Sequence, residues 1–397
     1  MLTYRALFAS PEFRALWTAG ALTTAASTTS SLALATLVHR STGSALLTAV
    51  AMSGPSVAQA LGATTLMSAA DAGPPRRTLL LVGAVSTAAL ALQALPGLGT
   101  PARLLLVVGV AYVVSVGAGA RWGLLAQVVP PGSFPLARST MNVAVGAFQV
   151  VGFAAGGLLL TALSTTQVFV LAALVSAAAL PVLRFGLAGR PPRRAARAGL
   201  RETGRATRVL LSRRDTRVLL VALCVPNGLV VGCEALFVPY AGERAGWLFV
   251  AGAVGMLAGD VVVGRLLTAA GRRRSNAALR VLLAAPFLLF ALGPPLPVAL
   301  VLVAVATVGY GASLAQQEWL VALTPPGWRG QVLGVESAAR MTGQGVFAVL
   351  AGALADVVGA GSAITTLAAV SLVVSLALGP GLRRAADHAS RASSTSR

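Results

Sequence analysis

The 397-residue chain is 56% hydrophobic and 11% charged, against about 25% charged residues in soluble globular domains, which leaves too little charge to cover a water-facing surface. Its net charge is +20 and it contains no lysine, but its arginines cluster between apolar runs, as in the loops of membrane proteins. We therefore expect no nucleic-acid partner. The two cysteines lie in one apolar run, and the two histidines lie outside such runs, a pattern that predicts no disulfide framework, no metal site and no cofactor.

Apolar runs of about 20 residues, the length that spans a bilayer core, recur along the whole chain. They predict an all-α integral membrane protein with twelve transmembrane helices. In chain order, the expected helices cover residues 14–37, 44–69, 78–96, 102–126, 138–162, 166–187, 216–240, 245–269, 278–293, 297–323, 331–356 and 362–380. Paired prolines separate several of them, because proline lacks the amide hydrogen that continues a helix.

The arginine distribution predicts how the chain is oriented in the membrane. With a cytoplasmic N-terminus, the inside segments hold most of the arginines, as the positive-inside rule requires. They are Arg5, Arg14, Arg76, Arg77, Arg138, the arginines of residues 188–215, Arg272 to Arg274, Arg329, Arg383 and Arg384. The outside segments contain mainly Arg40, Arg103 and Arg244. We therefore expect a multi-pass protein of the cell membrane with both termini in the cytoplasm.

The two halves of the chain repeat sequence features at one shared offset. The tripeptide Pro-Pro-Gly at 130–132 recurs at 325–327, and Gln149 recurs as Gln344. Duplicated halves of this kind, with a substrate site at their interface, are the architecture of many transporters. The repeat predicts two pseudo-symmetric six-helix bundles at residues 1–187 and 216–380, joined by a basic cytoplasmic linker at 188–215 and followed by a cytoplasmic tail at 381–397.

Arginines in the linker recur every three or four residues, which would place them along one helix face. They are Arg194, Arg197, Arg201, Arg205 and Arg208. Two interpretations remain open: a basic surface helix that lies on anionic lipid, or a solvated linker whose charge only fixes the topology.

Three acidic residues inside the predicted helices are candidates for proton coupling. Glu234, Asp260 and Glu318 each lie in an apolar stretch, where an ionisable group is costly and usually faces protein or water. A carboxyl group in such surroundings can take up and release a proton near neutral pH. The alternatives are a structural ion pair of Asp260 with Arg265, and a water-exposed position for Glu318 near the cytoplasmic end.

Two further sets of charged residues allow a functional or a structural interpretation. Glu336 and Arg340 have the spacing of an ion pair within one helix, so they could form a cytoplasmic gate or a static pair. Arg121 has no acidic residue near it in sequence. It could attract an anionic substrate or extend to the cytoplasmic interface.

The loop after the second helix resembles a signature of the major facilitator superfamily, through Asp71, Arg76 and Arg77. The equivalent loop of the second half matches the signature at Gly264, Gly271, Arg273 and Arg274. The fifth helix is similar to the antiporter signature of drug-efflux members through Gly152, Gly156 and Gly157, with Phe153 in place of a proline. Small residues there also allow two helices to approach closely. The resemblance implies a conformational role for these motif residues and likeness to bacterial drug and metabolite efflux permeases.

The resemblance also implies that helices 1, 4, 7 and 10 line a central substrate cavity. Polar residues on those helices are then candidates for substrate contact, although hydroxyl groups often serve only helix packing. The candidates are Thr24, Ser27, Thr28, Ser31, Arg121, Asn227, Tyr310 and Gln317.

The function predicted from these features is secondary transport without enzymatic activity. We expect a monomeric, proton-coupled exporter of small amphipathic molecules that works by alternating access. An importer or uniporter of a small metabolite remains an alternative. An intramembrane enzyme, a channel and a membrane receptor are less favoured classes.

Single cysteines test the predicted topology in a background without Cys224 and Cys233. Cysteines placed in residues 188–215, in 271–277 or at either terminus should resist an impermeant thiol reagent applied to intact cells, because these segments are expected inside. Efficient labelling at those positions, with a cysteine at Arg244 as the external control, would show that the orientation is reversed.

Overall fold

The computed structural model describes residues 4–66, 73–129, 134–191, 207–208, 210–325 and 329–394. Several residues of the sequence analysis lie outside these ranges. They are Asp71, Arg194, Arg197, Arg201, Arg205 and the repeated prolines and glycines at 130–132 and 326–327.

The described residues form α-helices, with short 3₁₀ and π segments, and contain no β-strand. The α-helices, numbered here in chain order, are α1 (Tyr4–Ala9), α2 (Pro11–Thr42), α3 (Ala45–Thr65), α4 (Pro75–Gln93), α5 (Thr100–Val128), α6 (Phe134–Ala162), α7 (Thr165–Gly186), α8 (Arg214–Ala235), α9 (Phe237–Ala241), α10 (Ala245–Val261), α11 (Ala269–Ala284), α12 (Leu296–Val308), α13 (Ala312–Leu323), α14 (Arg329–Val358) and α15 (Ala360–Ser394). Each of the twelve helices predicted from sequence overlaps helical structure. Ten stretches of the described chain are long and apolar enough to cross a membrane, and one of them, Arg214–Leu266, contains both α8 and α10.

Two predicted boundaries were wrong, and one predicted helix changes type along its length. The segment 271–277, expected as a loop, is the start of α11, whose first turn is capped by Thr268. Residues 285–292 continue α11 as a 3₁₀ helix, because Pro286 cannot donate the next α-helical hydrogen bond. The last helix continues past 380 to Ser394, so most of the expected tail is helical. Leu382, Ala385 and Ala386 form a buried face there at the spacing of a helix.

The chain forms two compact units. Met1–Gly43 and Gly54–Arg197 make up the first unit, and Ser44–Ser53 and Ala198–Arg397 make up the second. The start of α3 thus belongs to the second unit, where Asp356 of α14 accepts hydrogen bonds from Ser44 Oγ at 2.8 Å and from the Leu46 amide at 3.3 Å. The correspondence of residues 1–187 with 216–380 stays a prediction.

In the first unit, α2 packs against α6 and α7, and α4 packs against α5 and α7. The core lies at one end of these helices and includes Phe13, Leu16, Leu124, Met141 and Leu183. In the second unit, α8 packs against α14 and α15, and α10 packs against α12. Its core includes Leu219, Leu223, Leu320, Val332 and Leu382.

Gly152 and Gly156 of the antiporter-like signature lie where α6 meets α2. A Cβ atom added to Gly152 would lie 2.8 Å from the Ala25 carbonyl oxygen and 2.8 Å from Thr28 Cβ. Thr29 Oγ1 donates a hydrogen bond to the Gly152 carbonyl oxygen at 2.9 Å. Close approach of backbones through small residues is a main source of helix association in membranes, so these glycines have a packing role in the first unit.

Alanine at Gly152 should destabilise the protein by about 1–3 kcal/mol, because the added methyl group must push α6 away from α2. Alanine at Gly146 is the matched control on the same helix, since its Cβ would meet no atom within 4 Å. Gly146→Ala should leave stability unchanged or raise it by up to about 1 kcal/mol. Thermal unfolding of the purified variants in detergent measures both effects, and equal stability of the two variants would contradict the close-packing role.

Candidate functional site

A hydrogen bond between Glu234 and Tyr310 joins two helical segments of the second unit. Tyr310 lies in the short 3₁₀ turn between α12 and α13, and its hydroxyl donates to Glu234 Oε1 at 3.1 Å. Both residues are half-buried. The sequence predicts separate roles for them, proton coupling for Glu234 and substrate contact for Tyr310, and the structure brings the two side chains together.

A second contact joins the same segments two turns away along α8. Asn227 is buried, and its Nδ2 donates to Ser313 Oγ at 3.0 Å and to the Leu223 carbonyl oxygen at 2.9 Å. Sequence reasoning missed Ser313. It lies three residues after Tyr310 and four before Gln317, on the face that those two residues share, so this spacing was the available signal.

The third contact adds α14 to the group. Glu336 is only 1% exposed, and its carboxylate accepts from Arg340 Nε at 3.0 Å and from Gln317 Nε2 at 3.5 Å. The ion pair predicted from the spacing of Glu336 and Arg340 is therefore present. Burial of a charged group is costly unless partners satisfy it, and here both carboxylate oxygens have a donor.

Together these seven residues form a polar seam through an otherwise apolar helix group. The seam consists of Glu234, Tyr310, Asn227, Ser313, Gln317, Glu336 and Arg340. Its groups can exchange hydrogen-bond partners, and Glu234 can also gain or lose a proton. Such a network inside a membrane protein marks a functional candidate, because polar groups at that depth are expensive.

The other two acidic candidates lie in different surroundings. Glu318 is exposed and forms a bidentate pair with Arg272, whose Nε and Nη2 donate to its carboxylate oxygens at 3.1 and 3.2 Å. Asp260 is exposed on α10. Within the described part of the chain, no hydrogen bond or ion pair involves Asp260. The alternative of an ion pair between Asp260 and Arg265 was therefore wrong.

The hydroxyl candidates on α2 bond mainly to their own helix. Ser27 Oγ and Thr28 Oγ1 donate to the Thr24 carbonyl oxygen at 3.0 and 2.8 Å. Thr24 and Ser31 are half-buried. Serine and threonine satisfy their hydroxyls in this way within many helices, so the contacts of Ser27 and Thr28 agree with a structural role.

Arg121 is half-buried on α5, next to Gly20 of α2. Among the described residues of the first unit, no carboxylate pairs with it, since Glu12 there bonds Arg190 at 2.6 Å. An arginine with no paired carboxylate among the described residues of its unit is able to attract an anion.

The basic signature residues take different positions. Arg76 is half-buried and Arg77 is exposed, both in the first turn of α4. Arg273 and Arg274 are exposed on α11, and Arg273 Nη1 donates to Asp387 Oδ1 at 2.7 Å. Sequence reasoning missed Asp387, because it lies in the segment expected to be a tail.

Solved transporter structures share this fold. A POT family transporter crystallised with a thioalcohol-conjugated peptide is 11% identical, and the match covers 94% of this chain and 96% of that one with a TM-score of 0.75. The nucleoside transporter NupG is 14% identical, with coverage of 94% and 99% and a TM-score of 0.72. A bacterial homologue of the human lysosomal transporter Spinster is 17% identical, with coverage of 97% and 96% and a TM-score of 0.65.

These similarities confirm the predicted fold, the all-α membrane fold of major facilitator transporters. No protein-family model and no curated protein sequence matches the chain.

Removal of one partner from the Glu336–Arg340 pair should be more harmful than removal of both. Arg340→Gln leaves a buried carboxylate without its counter-ion, so stability should fall by about 3–5 kcal/mol. The double variant Glu336→Gln and Arg340→Gln has no unpaired charge and should regain most of the loss. Thermal unfolding in detergent measures the difference, and additive losses in the double variant would show that the two side chains are not coupled.

Proposed function

We propose that this protein is a secondary transporter that uses a proton gradient to export small amphipathic molecules by alternating access. The transporter class is supported by the shared fold. The observation that carries the proton-coupling part is the Glu234–Tyr310 hydrogen bond, at 3.1 Å within an apolar helix group. Export is inferred from the resemblance of Gly152, Gly156 and Gly157 to an antiporter signature. The protein acts as a monomer in the cell membrane, with both termini in the cytoplasm.

Proton coupling needs a group whose two protonation states favour different conformations of the protein. Ionised Glu234 accepts a hydrogen bond from the Tyr310 hydroxyl, whereas protonated Glu234 can itself donate. An unpaired charge in an apolar medium costs on the order of several kcal/mol. A conformation that moves Tyr310 away from Glu234 would therefore favour protonation of Glu234. Loading and release of a proton would thereby be tied to separation of α8 from the segment around residue 310.

Asp260 is the second proposed coupling group. It is an exposed carboxylate on the apolar helix α10, where contact with lipid would favour the neutral form. Its position on a different helix from Glu234 allows the two groups to be separated by mutation. Glu318 ranks lower, because it is exposed and already forms a bidentate contact with Arg272.

Each unit, taken by itself, offers polar groups that can bind a substrate. In the second unit, Asn227 and Gln317 can offer amide groups if their present partners are released. In the first unit, Arg121 would attract an anionic group, which would also suit the alternative function, import or uniport of a small anionic metabolite. A compound panel in proteoliposomes with controlled gradients distinguishes these cases by the direction of flux and by its need for protons.

Amide substitutions test the coupling mechanism directly. Glu234→Gln and Asp260→Asn retain size and hydrogen bonding but cannot titrate. At least one should abolish gradient-driven transport in proteoliposomes, leave substrate binding largely intact and flatten the pH dependence of uptake. Glu243→Gln is the matched control, since Glu243 is an exposed acid in the short 3₁₀ helix between α9 and α10.

Normal gradient-driven transport by the double variant Glu234→Gln and Asp260→Asn would refute the carboxyl mechanism. Attention would then pass to Glu318 or to a uniporter. If Glu243→Gln reduces transport as much as the other two changes, the loss reflects general damage and not proton coupling.

A further inference from the structure

A cavity of about 570 Å³ lies within the second unit, between α11, α13 and α15. It is separate from the polar seam, because none of the seam residues lines it. Asn276 of α11 is in its wall and donates to the Ala312 carbonyl oxygen at 3.0 Å, which fixes α11 against the start of α13. All three helices of the cavity wall also pack against one another.

The cavity has a strongly positive lining. Four arginines line it, namely Arg273, Arg274, Arg280 and Arg383, together with one acid, Asp387. Asp387 forms an ion pair with Arg273 at 2.7 Å. Within the part of the chain that the structure describes, no carboxylate pairs with the other three arginines. An excess of positive charge in one cavity favours an anionic occupant.

Two buried hydrogen-bonding groups in the cavity wall have no partner among the described residues. Arg280 is 5% exposed and its Nε is unpaired, and Ser375 is 2% exposed and its Oγ is unpaired. Both residues line the cavity. A buried polar group without a partner is costly, and here both side chains can donate. A ligand with several acceptor oxygens would satisfy them together once rotation of the two side chains turns these enclosed atoms toward the cavity.

Phosphate suits this set of donors better than a carboxylate does. The oxygens of a phosphate group point in several directions, and the donors here likewise come from two helices, α11 and α15. A carboxylate has only two oxygens, which lie in one plane. Guanidinium groups bind phosphate with two parallel hydrogen bonds, and such charge-assisted bonds are strong. Apolar side chains, including Trp319 and Leu376, line the same cavity and could contact an attached acyl chain.

We propose that this cavity binds a phosphate-ester anion, with Arg280 and Ser375 as buried donors and the exposed Arg274 and Arg383 beside them. The anion could be the headgroup of an anionic phospholipid or a water-soluble phosphate. Basic pockets between transmembrane helices on the cytoplasmic side bind anionic headgroups, and the arginine distribution predicts that these helix ends are cytoplasmic. The first unit has a related groove, lined by Arg77 and Arg184 together with apolar residues.

Binding to the full-length, delipidated protein in neutral detergent tests the proposal. The probes are phosphatidylglycerol, phosphatidylcholine, inorganic phosphate and glycerol 3-phosphate, and native mass spectrometry and thermal shift report binding. Arg280→Gln, and the double variant Arg274→Gln and Arg383→Gln, should each weaken binding of the anionic probe about tenfold or more, because each removes charge-assisted hydrogen bonds. Arg384→Gln is the matched control, since Arg384 is an exposed neighbour of Arg383 that does not line the cavity.

The two sources of phosphate give different results. Saturable binding of phosphatidylglycerol but not of phosphatidylcholine or free phosphate, with the expected variant dependence, assigns the site to a lipid headgroup. Equivalent behaviour with inorganic phosphate or glycerol 3-phosphate assigns it to a soluble anion. The proposal is overturned if no probe binds saturably, or if Arg384→Gln weakens binding as much as the cavity variants do. If Arg280→Gln does not fold, the double variant Arg274→Gln and Arg383→Gln decides the question by itself, because both of its arginines are exposed.

Discussion

The cost of a polar group away from water is the constraint on which the rest of this structure depends. Backbone amides and carbonyls in a bilayer must bond within their own segment, which leaves helices as the available structure for this chain. Side chains face the same constraint, so the buried acid Glu336 lies between two donors. Glu234 and Asn227 likewise find partners on a neighbouring helical segment. The polar seam is therefore a consequence of placing these residues in apolar helices.

Since lipid is as apolar as leucine, helix association in both units depends on close contact more than on hydrophobic burial. Gly152 lets α6 approach α2 in the first unit, and in the second unit an added Cβ at Gly259 would lie 2.4 Å from the Val308 carbonyl oxygen. Tyr310 lies two residues after Val308, so the segment that Gly259 contacts also carries the partner of Glu234. A glycine contact with α10 and a polar contact with α8 are thus made by neighbouring residues of one segment.

Charge is arranged differently at the helix ends and in the seam. At the ends, arginines pair with exposed or half-buried acids, as in Arg190–Glu12, Arg272–Glu318 and Arg273–Asp387. Pairs of this kind contribute little stability on their own, but they join segments that are distant in sequence. Arg280 is the exception, since it is buried within α11 and its Nε has no partner among the described residues. The second unit therefore combines a satisfied polar network with a cavity whose wall holds unpaired donors among the described residues.

Sequence alone determined the fold class and the positions of the helices, because length and hydropathy decide what crosses a membrane. It also identified the Glu336–Arg340 pair, since both residues lie on one helix. It could not show that Glu234 meets Tyr310, that Ser313 completes a contact with Asn227, or that Asp387 bonds Arg273. Those contacts join residues 76, 86 and 114 positions apart, and helix periodicity carries no information about which faces of distant helices meet. The tertiary structure decided them through helix packing, and it placed Arg280 and Ser375 in one cavity.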